Sequence, residues 1–370
     1  MGWFGRKSAA GVPQPVLPAW AGQAEGEALP RSYGTQLAEV YLNNPVGQRA
    51  VRLVAGAVAA LPVYVLEGKE RAAELVNRPG LVEALAAQLL LHGNAYVQCI
   101  AGTRGLAELF PLRPERVTIA ADERGWPAAY LYRVRSEPVR IAARDALARA
   151  QVIHLRSLHP ADDHLGLGCL DAAIGAACLH NRATKWNKAL LDNAARPSGA
   201  LVYEPADGSN LSGEQFGRLR QELDAQFAGS ANAGRPMLLE GGLKWQALSM
   251  TPADMDFIAL KEAAARDIAL AFGVPPALLG LPGDNTYANL REAGRALHRQ
   301  TVLPLAQRIL DGLSTGLGDW LGKVRLAIDL DRVTELAEDR ERLWKQVEAA
   351  SFLSRAEKRE LLGFGPEEEL

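Results

Sequence analysis

The sequence predicts an α+β fold, in which helices and strands occupy largely separate stretches of the chain. Short strand patterns separated by turn signals follow one another between residues 95 and 155. Two long helical patterns, at 166–196 and 251–272, flank a β-rich insert. Helical periodicity then dominates the last part of the chain, after residue 287.

Composition is that of a folded chain of more than one structural unit. The 370 residues are 48% hydrophobic and 23% charged, with a formal net charge of −2. The chain therefore lacks the basic excess of many tight nucleic-acid binders, and any contact with DNA must be local or weak. Cys99, Cys169 and Cys178 form no CxxC pair, which argues against a disulfide framework or a cysteine zinc site and fits a reducing cytosol.

Neither a membrane span nor an export signal is expected. The longest apolar run, 53–66, is too short to cross a bilayer and contains Pro62. The amino terminus has basic residues but no apolar segment of signal-peptide length. Four prolines among Ala, Gly and Gln between residues 11 and 30 predict a mobile arm over 1–32.

Residues 33–165 are predicted to form one α+β unit. Small apolar residues predict a helix over 45–60, and LPVYVL after it is typical of a buried strand. A second helix over 81–91 ends at His92-Gly93-Asn94. The strands that follow are AYVQCIA, LAELFPL, RVTIA, AAYLYRV and VIHL, with GTRG and DERGWP as turns.

The two long helical patterns predict a stalk. The first ends before Pro197, because proline disfavours helix in the residue preceding it. The second starts at Thr251-Pro252, an N-cap followed by proline at the first helical position. One face of the first helix is predicted to carry Leu170, Ile174, Cys178, Trp186 and Leu190, and one face of the second Phe257, Leu260, Ala264, Ile268 and Phe272. A stalk one helix pair wide cannot bury these faces alone, so identical neighbours in a ring are expected to cover them.

The sequence also predicts strands and helices in the insert and in the C-terminal part. SGALVYEP is predicted to be a strand, Ser212–Gln215 a capping box, and PMLLE with LKWQALS a hairpin through Gly241-Gly242. After a Gly/Pro/Asn loop from Gly280, a long helix should be kinked about one turn before Pro304. VRLAIDL is a late strand, and helices follow from Thr334, the last opened by the capping box Ser354–Glu357.

Several strings of the sequence, in this order, resemble segments of one protein family. They are PLRPERV, GLGCLDAA, ARPSGAL, LLEGGLKWQAL, AFGVPPALLG, NTYANLREA and FLSRAEKRELLGFGP. The family is that of the portal proteins of tailed bacteriophages, which phage-like gene transfer agents also use. The resemblance runs from about Tyr33 to the end of the chain. Where many relatives read Ser-Pro before the first stem helix, this chain has Gly168-Cys169, so its helix start lacks the usual cap.

The resemblance implies a homo-oligomeric ring, expected to be a dodecamer, at one capsid vertex of a virion assembled in the bacterial cytoplasm. Double-stranded DNA would pass through its channel during packaging and ejection without sequence specificity. Large terminase, a head-tail adaptor and the major capsid protein would be its partners. The implied regions are a wing at 33–165, stem helices at 166–196 and 251–279, a clip at 197–250, a tunnel loop at 280–287, a kinked wing helix and strand at 288–332, and a helical crown at 333–370.

Candidate DNA-contacting residues lie on the first stem helix and in the tunnel loop. Arg182, Lys185, Lys188 and Arg196 repeated around a ring would form basic belts. The alternative is that these cations favour the helix dipole or form a solvated face. Asp284, Asn285 and Tyr287 are the loop candidates, although Asn285 or Thr286 also suits an N-cap. Arg196 and Trp245 are the candidates for the clip interface.

No catalytic, metal or cofactor site is predicted. His154, His159 and His164 with Asp162 and Asp163 fit no standard metal spacing. No Walker A sequence is present, so another protein must supply energy for DNA movement. Two rival functions remain open: a Rossmann-like nucleotide-dependent oxidoreductase, suggested by Gly166-x-Gly168 after a strand, and a monomeric DNA-binding adaptor.

Overall fold

The structure is a computed structural model that describes residues 29–103, 105–192, 199–203, 213–214, 217–218, 221, 243–247, 257–283 and 286–363. Several sequence predictions lie outside these residues. They are most of the N-terminal arm, the end of the first long helix at 193–196, the strand at PMLLE, the helix start at Thr251, and the loop residues Asp284 and Asn285.

The described residues contain α-helices before, between and after the strands. They are α1 (Tyr33–Leu37, continued by a π-helical turn Ala38–Leu42), α2 (Pro45–Ala59), α3 (Arg71–Val76), α4 (Leu81–His92), α5 (Leu170–Asp192), α6 (Phe257–Ala271), α7 (Tyr287–Leu297), α8 (Leu303–Leu321), α9 (Ala337–Ala349) and α10 (Arg355–Leu362).

Antiparallel pairing joins all the strands in the described part of the chain. They are β1 (Val63–Glu67), β2 (Asn94–Gly102), β3 (Gly105–Leu112), β4 (Val117–Ala121), β5 (Pro127–Arg133), β6 (Pro138–Ala142), β7 (Val152–Arg156), β8 (Gly199–Tyr203), β9 (Leu243–Ala247) and β10 (Arg325–Ile328). Their order is β3-β2-β7 in one sheet and β4-β5-β6 in a second, with β1 paired to β10 and β8 to β9. The predicted α+β class is confirmed.

The main core lies between the β3-β2-β7 sheet and helices α2, α4, α5, α6 and α8. Leu89, Val97 and Leu313 are at most 2% exposed within it. On α8, a Cβ at Gly316 would lie 2.4 Å from the side chain of Ile153 on β7. The missing side chain therefore lets helix and sheet approach closely, as buried packing at crystal-like density requires.

Three elements were not predicted from the sequence: α1, α3 and strand β6. Strand β6 has only five residues and begins with proline, so it carries a weak strand signal, and four of its five residues are exposed. A π-helical turn, His298–Val302, lies where the sequence predicted a kink about one turn before Pro304. Proline has no amide hydrogen for the carbonyl one turn earlier, so the helix widens there instead of continuing regularly.

Candidate functional site

Helices α5 and α6, the two helices of the predicted stalk, pack against each other. Near one end the rings of Trp186 and Phe257 stack with centroids 6.0 Å apart. Towards the other end Ile174 and Ile268 are at most 4% exposed and belong to the main core. The pair is thus anchored in the α+β unit at one end.

A buried asparagine holds the segment that leads into α5. Asn94, which is 1% exposed, accepts a hydrogen bond from the Gly166 amide at 2.7 Å and donates one to the Gly166 carbonyl at 3.0 Å. Its Oδ1 also accepts a bond from His154 Nε2 at 3.0 Å. The helix begins at Leu170, four residues later than the expected start at Gly166, because residues 166–169 are used in these contacts.

Glycines make this junction possible. A Cβ at Gly166 would lie 2.1 Å from the Gly93 carbonyl oxygen, and one at Gly168 would lie 2.4 Å from the Leu91 carbonyl oxygen. The Cys169 amide donates to the Leu90 carbonyl at 2.7 Å. Close backbone approach therefore requires these glycines. The Gly166-x-Gly168 pattern serves chain packing against the end of α4, which removes the basis of the nucleotide-binding interpretation.

The predicted basic residues of α5 do not share one face. Arg182, Lys185 and Lys188 are all exposed. Three residues along an α-helix turn the side-chain direction by about 60°, so Arg182 and Lys188 point about 120° apart. A channel that ran along one side of α5 would meet only part of this set.

Lys185 lines a cleft between the π-helical turn after α1, helix α5 and helix α6. The cleft has a volume of about 200 Å³ and is lined by Glu39, Asn43, Pro45, His180, Asn181, Thr184, Lys185 and Lys261. Two cations therefore face the same opening. Burial and then the nearby Lys261 charge hold the pKa of His180 below its ordinary value, so this imidazole stays neutral at neutral pH.

A polar network forms the floor of this cleft. The Asn44 amide group donates to Asn181 Oδ1 at 2.9 Å and lies 3.3 Å from His180 Nδ1. Asn181 in turn donates to both the carbonyl and the carboxylate of Glu39, at 2.9 and 2.8 Å. Because these buried groups are hydrogen-bonded, they fix α5 against the start of α2 at little cost in desolvation.

The loop between α6 and α7 carries the remaining predicted residues. Tyr287, the first residue of α7, is 82% exposed. The Thr286 side chain accepts from the Asn289 amide at 3.2 Å and is the N-cap of α7. Asp284 and Asn285 lie outside the described residues.

Sequence reasoning missed Arg266 as a residue of this loop. From α6 it donates to the carbonyl of Pro282 at 2.5 Å, sixteen residues further along the chain. The side chain thus ties the predicted tunnel loop to the second stalk helix. An arginine on an exposed helix face carries no sequence signal for such a contact.

The structure describes one of the two residues predicted for the clip interface. Arg196 lies outside the described residues. Trp245 lies in β9, where its backbone pairs with that of Leu201 in β8. Pairing of β8 with β9 brings the two ends of the insert together, with Gly199 opposite Ala247.

The histidines considered as metal ligands have structural partners. His154 stacks on Tyr96 with ring centroids 4.3 Å apart and bonds to Asn94. Asp162 accepts from the amides of His164 and Leu165, both at 2.7 Å, which holds the pKa of its carboxyl below the usual value. Among the described residues no group of three or more His, Cys, Asp or Glu is arranged to hold a metal ion.

Among the described residues, no helix is both long enough and apolar enough to span a membrane.

Comparison with known proteins gives one consistent result. The family model of the phage portal proteins matches residues 45–363. The chain belongs to this family. A protein of Rickettsia felis is 41% identical over 347 residues, which cover 89% of this chain and 88% of that protein.

Solved structures that resemble this portal protein come from a gene transfer agent. A chain in the virion of a native gene transfer agent particle superposes with a TM-score of 0.70 at 45% identity, covering 91% of this chain and 95% of that one. A chain in the neck of the native particle, computed with C12 symmetry, gives a TM-score of 0.69 at the same identity and coverage.

Two residues of the portal protein depart from the predicted stalk faces. Trp186 is 48% exposed, although it was expected on the face that carries Leu170 and Ile174. Leu260 is 37% exposed, although it was expected beside Ile268. Four-residue steps drift around a helix by about 40° each, so residues at the far ends of a long stripe leave the buried face.

Proposed function

We propose that this portal protein forms a ring of about twelve copies at one capsid vertex, and that double-stranded DNA passes through the ring during packaging and ejection. The observation that carries the proposal is the family match over residues 45–363 together with 45% identity to a chain in a gene transfer agent neck computed with C12 symmetry. The role is structural, and the energy for DNA movement would come from another protein.

The channel would bind DNA weakly. Lys185 and Lys188, with Arg182, are the described cations best placed on the first stalk helix to contact phosphate. Electrostatic contacts of this kind ignore base sequence and weaken with salt. Because the whole chain carries a net charge of only −2, few contacts per subunit would let the duplex slide. Tyr287, exposed at the start of α7, and its neighbours Asp284 and Asn285 would approach the DNA from the tunnel loop.

The insert would be the clip, which docks large terminase during packaging and the head-tail adaptor afterwards. Arg196 and Trp245 are the proposed interface residues. Since β8 and β9 bring the ends of the insert together, residues 200–246 can be replaced by a short Gly/Ser linker. The variant should keep its rings and lose binding to both partners. Binding that survives the deletion would contradict the clip assignment.

The α+β unit at 33–165 would contact the major capsid protein.

Negative-stain microscopy with mass photometry of the full chain tests the ring itself. Rings of about a dozen copies with a central hole are expected. A protein that stays a single copy under all assembly conditions would exclude the proposal and favour a monomeric DNA-binding adaptor.

The channel residues are tested separately with Lys185→Gln/Lys188→Gln rings. Their affinity for duplexes of unrelated sequence should fall equally, with a shallower salt dependence. Lys323→Gln, on an exposed lysine paired with Glu67, is the matched control. A strong sequence preference, or equal losses in both variants, would contradict the channel assignment.

A further inference from the structure

Each stalk helix leaves an apolar stripe exposed. On α5 the stripe contains Leu179 and Trp186, which are 42% and 48% exposed. On α6 it contains Leu260 and Leu270, which are 37% and 77% exposed. Large side chains exposed in this way on paired helices are typical of an interaction surface.

The α5 stripe has a notch at Gly175. An added Cβ at this position would meet no heavy atom within 4 Å, although the residue lies in the middle of the helix. Ala172, which is exposed three residues earlier on the helix, is also small. Glycine in a helix interior lowers helix stability by about 1 kcal/mol relative to alanine. Within the described part of one copy, no heavy atom lies close enough to Gly175 to require a glycine there.

On α6, the exposed side chain of Leu270 lies at the level of this notch. The Trp186–Phe257 stack sets the relative position of the two helices. Thirteen residues separate Phe257 from Leu270, and thirteen separate Ala173 from Trp186. Both distances are about 20 Å along a helix. Leu270 therefore lies at the level of Ala172–Ala176, and so at the level of the notch.

We propose that Leu270 of one copy packs into the notch at Gly175 of the adjacent copy, so that the α6 stripe of each subunit covers the α5 stripe of the next. This inference rests on the proposed ring. A cyclic ring joins two different patches of the same chain. Rotation about the ring axis leaves height unchanged, so residues at one level in a stalk that runs along the axis meet residues at the same level in the neighbour.

The interface would also divide the basic residues of α5. Arg182 lies about 60° around the helix from Leu179, at the edge of the stripe. Lys185 and Lys188 lie about 120° and 180° from Leu179 and point away from the interface. These two lysines are therefore the ones left for the channel.

The contact is tested by placing a large residue at the notch and a small residue at the position that packs into it. In the full-length chain, Gly175→Leu should fill the notch and reduce the fraction of protein in rings at least about tenfold at a fixed concentration. Leu270→Ala should weaken assembly less. The double variant should restore rings to within about threefold of wild type, because the new leucine occupies the space that the old one left.

Controls separate this outcome from misfolding and from failure of the proposed function. Gly318→Leu on α8, where an added Cβ also meets nothing within 4 Å, should leave assembly unchanged. Thermal melts followed by circular dichroism should show Gly175→Leu as stable as wild type, because leucine favours helix. Unchanged rings in Gly175→Leu, or no rescue in the double variant, would overturn the Gly175–Leu270 contact. Absence of rings in wild type would instead overturn the proposed function.

Discussion

Asn94 and Gly166 form a two-point amide pair across 72 residues of sequence: the Gly166 amide donates to Asn94 Oδ1 at 2.7 Å, and Asn94 Nδ2 donates to the Gly166 carbonyl at 3.0 Å. The pair connects the end of α4 to the segment that leads into the first stalk helix.

Asn94→Ala should lower the free energy of unfolding by about 2–4 kcal/mol, because it leaves the buried amide and carbonyl of Gly166 and the His154 ring nitrogen without their partner. Urea denaturation measures the change. Asn77→Ala removes a single exposed bond to the Val63 carbonyl and should cost less than about 1 kcal/mol. Equal losses of unfolding free energy in the two variants would show that the Asn94–Gly166 pair contributes no more stability than an exposed hydrogen bond.

Gly168→Ala should destabilise the chain by roughly 2 kcal/mol or more, since the new Cβ would lie 2.4 Å from the Leu91 carbonyl oxygen and the backbone must shift. Gly318→Ala is the matched control, because its Cβ meets no heavy atom within 4 Å in the interior of α8. Helix propensity predicts that this control is neutral or more stable by up to about 1 kcal/mol. Differential scanning calorimetry can compare them, and a Gly168→Ala variant as stable as wild type would contradict the close approach.

Acid should weaken the fold through His154. Burial, with the nearby Arg156 charge, lowers its pKa to about 4 from an ordinary value of 6.5. In the unfolded chain the ring takes a proton below about pH 6.5, whereas in the folded chain it stays neutral until about pH 4. Stability is therefore complete above pH 6.5 and falls as pH drops from 6.5 to 4, by up to about 3 kcal/mol.

His154→Gln tests this pH dependence. Glutamine can still donate to Asn94 but does not titrate. The variant should lose less stability than wild type between pH 6.5 and 4 in urea titrations. An unchanged pH profile would assign the effect to other groups, such as His92 and His180, whose pKa values burial also lowers.

Arg266→Ala should loosen the loop at 280–287, because it removes the bond to the Pro282 carbonyl. One exposed bond of this type holds the loop by about 1 kcal/mol. Hydrogen exchange at the amides of this segment should therefore rise roughly fivefold. Arg299→Ala, which removes a long contact to Asp339 at 3.8 Å, should leave the loop unchanged. Equal hydrogen-exchange rates in the two variants would show that Arg266 does not hold the loop in place.

Local sequence signals identified most of the elements, because local rules decide them. Alternation and turn residues located strands β2 to β5 and β7, and the Ser354 capping box is present as predicted, with Glu357 accepting from the Ser354 amide at 2.7 Å. Strand β6 and helix α3 were missed, since short elements carry few periodic positions. Seven strings in family order carried the family assignment, because they combine local patterns with a fixed sequence of elements.

The candidate site was less predictable, because its residues act through contacts distant in sequence. Lys185 was predicted from the sequence to contact phosphate, and the structure adds that Lys261, 76 residues away, lines the same cleft. Arg266 had no sequence signal at all. Helical periodicity also placed Trp186 on one face with Leu170 and Ile174, whereas in the structure Leu170 and Ile174 are buried within one copy and Trp186 is 48% exposed.

The sequence by itself determined the fold class, the pairing of the two long helices α5 and α6 and the portal family, since all of these follow from local composition, spacing and order. Only the tertiary structure decided how the first stalk helix begins and which of its sides remain exposed. The Asn94–Gly166 pair and the glycine contacts set that start, and both depend on backbone groups brought together by packing. No pattern along the chain encodes such proximity.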